Sequence, residues 1–145
     1  MSRKKVIGIS AIVVVLAAAL MGYMLWNKPH KEVKDASGVK ITASELYNSF
    51  ITDSAKARTL YTDKVVQVTG EVARLALNQQ DQQIILIKTP VSGAYINCTM
   101  EEKAEVLKEG DPVTIKGICS GYISGDADMG LPGDVFVVRG YPFTK

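Results

Sequence analysis

The sequence predicts an all-β domain with accessory helices, built as a small closed barrel of five strands behind an N-terminal membrane span. Three observations lead to this prediction. The chain begins with a long uncharged apolar segment, and a later region alternates apolar and polar residues. Two of the alternating stretches, "VVQVTGEV" at 65–72 and "PVTIKGIC" at 112–119, carry a glycine at the same internal position. A chain of 145 residues has room for one domain and an attachment.

The apolar segment runs from Val6 to Trp26, 21 residues without a charge. As a helix it would be about 31 Å long, enough to cross the hydrocarbon layer of a bilayer. Tyr23 and Trp26 stand at its far end, where an aromatic belt would lie. Apolar residues continue past the small residues that could form a cleavage site, so the segment indicates an uncleaved anchor in the lipid bilayer. A cleaved signal peptide and a buried core helix are the alternatives.

The flanks of this segment bear on its orientation. The three basic residues before it are matched by three after it, Lys28, Lys31 and Lys34. The α-amino group adds to the first set, and a basic tail before an apolar segment resembles an export signal, which favours a cytoplasmic N-terminus. We therefore divide the chain into a tail and transmembrane anchor (1–26), a juxtamembrane linker (27–41) and a domain (42–145). His30, the only histidine, falls in the linker and is interpreted as a solvated residue.

A helix is predicted at the start of the domain. Thr42 and Glu45 have the spacing of a capping box, in which each side chain satisfies a free backbone N–H. Apolar residues then recur near helical spacing as one stripe: Leu46, Phe50, Ala57, Leu60 and Tyr61. We expect this stripe to pack on the domain, with a partner-binding helix as the alternative.

Five strands follow, because the apolar period changes to two. The predicted strands are residues 65–72, 84–89, 94–100, 113–123 and 135–143, separated by polar or Gly/Pro-containing segments. Between the third and fourth strands, Thr99 and Glu102 offer a second capping box and Gly110 a helix end, which predicts a short helix.

The two strand glycines explain how so short a sheet could close. Some strands of a five-stranded barrel must bend sharply, and glycine or a bulge supplies the bend. Three strands, a helix and two strands is the element order of an OB-fold, whose barrel has few free edges. Its first strand pairs with its fourth, which would bring Gly70 and Gly117 near one corner.

A membrane span, the linker "NKPHKEV", the helix "ELYNSF" and the stretches "VVQVTGEV", "INCTM" and "VTIKGICSG" together resemble the bacterial tRNA_anti-like family. The resemblance covers Thr42 to the C-terminus. It implies an OB-fold in an exported or membrane-anchored protein, and it brings no catalytic residues. The family name reflects likeness to an anticodon-binding domain and does not establish tRNA binding. We expect a single-pass protein of the bacterial cytoplasmic (inner) membrane with a periplasmic domain.

OB-folds bind ligands along strands two and three, between the loops after strands one and four. This rule selects a candidate binding face from the strands and loops of the predicted barrel. Its residues are Arg74, Asn78, Gln79, Gln80, Lys88, Tyr95, Asn97, Thr99 and Tyr122.

Charge disfavours nucleic acid as the ligand of this face. From Tyr61 onward the chain has 8 basic and 11 acidic residues, a net charge of −3. Binding to a phosphate backbone draws on basic residues, and single-strand binders add stacking aromatic side chains. The leading hypothesis is therefore a module that binds an envelope protein, a peptide or a glycan. A nucleic-acid-binding module and a structural or stress-protective protein without a small ligand are the alternatives.

Few residues suggest chemistry. Cys98 and Cys119 could form a disulfide or remain two buried free thiols, and both alternatives stay open. Two cysteines without a neighbouring histidine do not complete a zinc site. The loop acids Asp126, Asp128 and Asp134 lack the EF-hand spacing and are interpreted as a solvated turn. We expect no enzyme activity, no cofactor and no metal.

Overall fold

A computed structural model describes residues 2–27 and 33–143, apart from the side chain of Lys4. The chain divides into two compact units, Met1–Glu32 and Val33–Lys145. The predictions for Lys28, His30 and Lys31 lie outside the described residues.

The first unit contains helix α1, Arg3–Trp26. Its stretch Lys5–Trp26 has a mean hydropathy of 2.5, and none of it is buried within the protein. The helix is therefore long and apolar enough to span a membrane, as the sequence predicts. It begins at Arg3, so the basic residues of the predicted tail belong to its first turn.

The second unit begins earlier than the sequence predicts. Strand β1, Val39–Thr42, lies in the stretch assigned to the linker. It runs parallel to the strand that begins at Val65, with Val39 opposite Val66. Val33 is also buried, so the second half of the predicted linker is part of the folded unit.

Helix α2, Ala43–Thr52, starts with the predicted capping box. The Thr42 hydroxyl accepts from the Glu45 N–H at 3.2 Å, and the Glu45 carboxylate accepts from the Thr42 N–H at 3.0 Å. The single amphipathic helix of the prediction is divided into two. Asp53 leaves helical geometry and its carboxylate caps the Lys56 N–H at 3.0 Å, which starts α3, Ser54–Tyr61.

The predicted closed barrel of five strands is confirmed. Its strands are β2 (Val65–Leu77), β3 (Gln83–Lys88), β4 (Tyr95–Met100), β5 (Pro112–Ile123) and β6 (Asp134–Pro142). β2, β3 and β4 form an antiparallel meander, β4 runs parallel to β6, β6 pairs with β5, and β5 closes on β2. This is OB-fold topology.

The two strand glycines are not at one corner, so that part of the prediction is wrong. β2 and β5 do pair, but Gly117 lies opposite Val66 and Gly70 opposite Val113, at different ends of the pairing. Each glycine permits a separate close approach. A Cβ on Gly70 would collide with Ile87, and one on Gly117 would lie 2.6 Å from Val137 Cγ1. Gly117 also sits at a shift in the β5–β6 register, where the strand bends.

The short helix predicted between the third and fourth strands is also wrong. Thr99 belongs to β4, where it pairs with Ile84, and residues 101–111 run as turns and bends. The Gln83 side chain binds both backbone groups of Ala104, accepting from its N–H at 2.8 Å and donating to its carbonyl at 3.4 Å. Gly110 has a left-handed φ of +92°, as expected of a residue that follows a helix. It lies in a turn instead, and its N–H donates to the Val72 carbonyl.

Helix α2 supplies the helical packing on the barrel core instead. Leu46, Tyr47 and Phe50 are buried against the strands, and the Tyr47 hydroxyl donates to the Gly133 carbonyl at 3.0 Å. The inward residues of the strands complete the core: Val66, Val68, Val72, Ile85, Ile87, Ile96, Cys98, Met100, Ile115, Cys119, Val135 and Val137. A helix that precedes the barrel in sequence thus packs on its core.

Candidate functional site

The outward side of β3 and β4 forms the centre of the candidate site. Strand pairing places Leu86 opposite Arg74 on one side and Asn97 on the other, and Asn97 opposite Phe136. We call these four residues the outer row. Arg74 is exposed, and the other three are half-buried on the outward side of the barrel. Thr99 stands beside the outer row on β4.

Three polar side chains of this face are not engaged elsewhere. Among the described residues, the side chains of Arg74, Asn97 and Thr99 take part in no hydrogen bond or ion pair. Leu86 and Phe136 place apolar surface between them. The face therefore offers a guanidinium, an amide, a hydroxyl and apolar area to a ligand.

Lys88 and Tyr95 face each other at one end of this surface. Lys88 forms an ion pair with Glu71, so its charge is partly neutralised. The Tyr95 N–H donates to Asp134 Oδ1 at 2.8 Å, which fixes β4 to the start of β6. Lys88 and Tyr95 line a shallow depression of about 300 Å³ with Val91.

The loop after β2 uses its amides to form its own turn. Asn78 Oδ1 accepts from the backbone N–H groups of Gln80 at 2.9 Å and Gln82 at 3.0 Å. Its Nδ2 donates to the Gln82 side chain at 2.9 Å. Asn78 therefore shapes the turn, whereas the side chains of Gln79 and Gln80 are exposed at its tip.

Tyr122 does not join the outer row. Its ring stacks on Phe50, with centroids 6.3 Å apart, and meets Tyr47 edge-on at 6.1 Å. It is thus part of an aromatic cluster with α2. The other predicted strand residues, Lys88, Tyr95, Asn97 and Thr99, share one surface.

A second surface was not predicted from the sequence. Two adjoining hollows of about 510 and 420 Å³ share Pro112, Val113, Thr114 and Phe143. The first extends to Lys40 and Gln67, and the second to residues 102–107. Strand β1 places Lys40 beside Gln67, and the sequence prediction lacked that strand.

Lys116 lies close to these hollows and is only 9% exposed. Its Nζ donates to the Lys34 carbonyl at 3.0 Å and lies 5.9 Å from the centre of the Phe143 ring. The Lys34 ammonium reaches Glu102 at 3.2 Å. The segment that opens the folded unit is thereby fixed to β5 and to the loop after β4.

Both cysteines are buried free thiols, the second of the two alternatives left open by the sequence. Cys98 on β4 and Cys119 on β5 each pair with Val137 of β6, so β6 lies between the two cysteines. Two strand spacings of about 4.8 Å place their Cα atoms beyond the reach of a disulfide. Burial raises the pKa of the Cys98 thiol strongly and that of Cys119 to about 11, so both are protonated at neutral pH.

Two of the three loop acids, Asp126 and Asp134, accept hydrogen bonds from backbone N–H groups. Asp126 Oδ1 accepts from the N–H groups of Asp128 at 2.9 Å and Met129 at 3.2 Å. Burial raises the pKa of Asp134, although its hydrogen bond from the Tyr95 N–H opposes that shift. Within residues 2–27 and 33–143, no group of three His, Cys, Asp or Glu side chains is arranged to hold a metal ion.

Comparisons with known proteins give the family. A family model described as tRNA_anti-like matches residues 1–129. No curated protein matches the chain. Among solved structures, the chain is similar to a putative aspartyl-tRNA synthetase from Leishmania major Friedlin, with 12% identity and a TM-score of 0.44. That similarity covers 75% of this chain and 21% of the other. Since the family model covers most of the sequence, this protein belongs to the tRNA_anti-like family.

Proposed function

We propose that this protein is a single-pass, membrane-anchored OB-fold module that holds its barrel in the periplasm of a bacterium. It binds a protein, a peptide or a glycan through the outward side of β3 and β4, and it acts by binding and not by catalysis. Helix α1 supports the anchor because of its length and apolar composition. The basic first turn, Arg3 to Lys5, supports a cytoplasmic N-terminus.

The outer row is the observation that carries the proposal. It combines apolar area with an amide and a guanidinium that are free of partners among the described residues. Binding sites commonly join apolar surface to a few polar groups that fix orientation. Such a composition suits peptide groups and sugar hydroxyls, which accept and donate hydrogen bonds without carrying charge.

Local charge supports the same ligand classes over nucleic acid. Arg74 is the outer row's one cation, and nearby Lys88 is paired with Glu71. A groove for single strands needs several free cations with stacking aromatic side chains.

Orientation is tested with reporter fusions after Lys145, one active only in the periplasm and one only in the cytoplasm. Activity of the periplasmic reporter alone is expected. Activity of the cytoplasmic reporter alone would contradict the proposed location, and it would leave the binding face to be judged separately.

Binding is tested with the full chain in nanodiscs of zwitterionic lipid. Arrays of envelope glycans and of peptides are compared with single-stranded oligonucleotides. A glycan or peptide signal is expected, weakened at least about tenfold by Leu86→Ala with Asn97→Ala. The matched control is Ile118→Ala, a half-buried residue on β5, a strand that pairs with β2 and β6 and not with β3 or β4. Oligonucleotide binding that falls steeply with salt, or ligand binding that the double variant leaves unchanged, would contradict the proposal.

A further inference from the structure

We infer that the β5–β6 loop, residues 124–133, docks a protein or peptide segment whose apolar side chains are flanked by Lys or Arg. This rests on the proposed function, because the loop borders the outward side of β3 and β4, and it names the partner class for that site. We call these ten residues together with Ile123 the docking loop.

The docking loop exposes large apolar side chains. Ile123 is 63% exposed, Met129 69% and Leu131 56%. Single exposed apolar residues are ordinary, but three within residues 123–131 concentrate apolar surface on one loop, and concentrated exposed apolar surface is typical of interaction sites. Nothing inside the described part of the folded unit covers them.

The loop is also held in one shape. Asp126 accepts from two backbone N–H groups through its carboxylate, and its carbonyl accepts from the Leu131 N–H at 2.8 Å. The two arms pass so closely that a Cβ on Gly125 would collide with the Leu131 carbonyl, and one on Gly133 with the Ile123 carbonyl. The Tyr47 hydroxyl holds Gly133 from α2. A preformed loop loses little conformational entropy on binding.

The acidic residues in and next to the docking loop favour a partner with basic groups. Between Lys116 and Arg139 the sequence has no basic residue, whereas it has Asp126, Asp128 and Asp134. Asp128 is exposed next to Met129, and its carboxylate makes no hydrogen bond or ion pair with the described residues. Negative charge beside exposed apolar side chains complements basic groups beside an apolar segment. The same charge disfavours phosphate backbones and anionic lipid headgroups.

The docking loop is continuous with the face of the proposed function. Pro132 lies beside Gly93 in the β3–β4 turn, where a Cβ on the glycine would be 3.6 Å from Pro132 Cγ. Asp134, just after the loop, binds the Tyr95 N–H. β6 then continues to Phe136, a member of the outer row. A segment seated on the loop therefore leads onto β4.

The test uses three matched sets of peptides of about 12 residues, long enough for one bound segment. All share the same apolar residues, and the flanks are Lys/Arg, Ser/Gln or Asp/Glu. Binding is measured to the full chain in phosphatidylcholine nanodiscs, with empty nanodiscs subtracted. We expect the basic set to bind at least about tenfold more tightly than the neutral set, and the acidic set to bind most weakly.

Variants locate the binding. Met129→Ser with Leu131→Ser is expected to weaken the basic set at least about tenfold. Asp128→Asn is expected to reduce the preference for the basic set about two- to fivefold. The matched control is Ile51→Ser with Leu60→Ser, two exposed apolar residues on α2 and α3, which should change nothing.

The outcomes separate this inference from the proposed function. Equal binding of the three peptide sets, or an equal loss in the control variant, would overturn the inference. So would ligand binding that Leu86→Ala with Asn97→Ala weakens but the Met129 and Leu131 variant leaves intact, although the proposed function would then stand. If no glycan, peptide or protein binds, both are overturned.

Discussion

The inward and outward sides of the same strands differ in how far their side chains are engaged in contacts within the protein. On β4, Cys98 faces the core, where Val137 separates it from Cys119. Its neighbour Asn97 faces outward between Leu86 and Phe136, and its amide has no partner among the described residues. The period of two thus places core residues and outward residues in alternation along one strand. Substitutions on the two sides should therefore affect different properties.

The largest loss of stability is expected from Phe50→Ala. Phe50 is buried between Tyr61 and Tyr122, and its removal leaves a cavity under α2. We expect the free energy of unfolding to fall by about 3–5 kcal/mol, measured by urea denaturation. The matched control is Ile51→Ala, exposed on the same helix, which should cost less than about 1 kcal/mol. Similar losses in both variants would contradict the packing of α2 on the barrel core.

Gly117→Ala should have the next largest effect. The added methyl group would lie 2.6 Å from Val137 Cγ1 and 2.9 Å from the Val138 carbonyl, so β6 must shift. We expect a loss of about 1–3 kcal/mol in the same denaturation assay. Ser120→Ala, exposed on the same strand, serves as the control. A neutral Gly117→Ala variant would mean that the barrel does not need this close approach.

Alkaline pH should lower the free energy of unfolding, because of the buried groups on the inward side of the strands. A thiol has an ordinary pKa of 9.0, but Cys119 in the folded protein has a pKa of about 11 because it is buried. The folded state therefore keeps its protons where the unfolded state loses them, so stability is full below pH 9 and falls as the pH rises towards 11. Burial also raises the pKa of Tyr47, which acts in the same direction.

Denaturation curves from pH 8 to 11 test this. The variant Cys98→Ala with Cys119→Ala should keep only the part of the pH dependence that other groups such as Tyr47 supply. Native wild-type protein at pH 7 should resist a maleimide reagent until urea unfolds it. Rapid labelling of the native protein would contradict the burial of both thiols.

The sequence predicted the barrel because its five strands carry a local signal. Four of them alternate apolar and polar residues over most of their length, β3 has four successive apolar residues, and all five are bounded by turn residues. β1 has only the four residues "VKIT", too few to establish a period, and its parallel pairing with β2 is a tertiary contact. The false helix after Thr99 had a capping-box sequence, but pairing with Ile84 and the Gln83 bonds to Ala104 outweighed that local preference.

In the candidate site too, the residues predicted from a local pattern were placed correctly and those that depend on tertiary contacts were not. Alternation placed Lys88, Tyr95, Asn97 and Thr99 on one surface, because the pairing of β3 with β4 is regular where these residues lie. Tyr122 was misplaced because the β5–β6 register shifts between Cys119 and Gly121, and Gly121 takes a φ of +117°. A bulge reverses the inward and outward phase of the residues after it. Its position depends on the partner strand.

The smallest effect on stability is expected on the outward side. Asn97→Ala should change the free energy of unfolding by no more than about 0.5 kcal/mol, because the amide has no partner to lose among the described residues. The adjacent Cys98→Ser is the matched comparison. It places a hydroxyl in the core and should cost about 1–3 kcal/mol. Both variants are measured by denaturation and, separately, by ligand binding at the outer row. Together the two measurements distinguish the role of the outward side of β4 from that of its inward side. A large loss of stability in Asn97→Ala would mean that the outer row is structural, and it would remove the basis for assigning recognition to it.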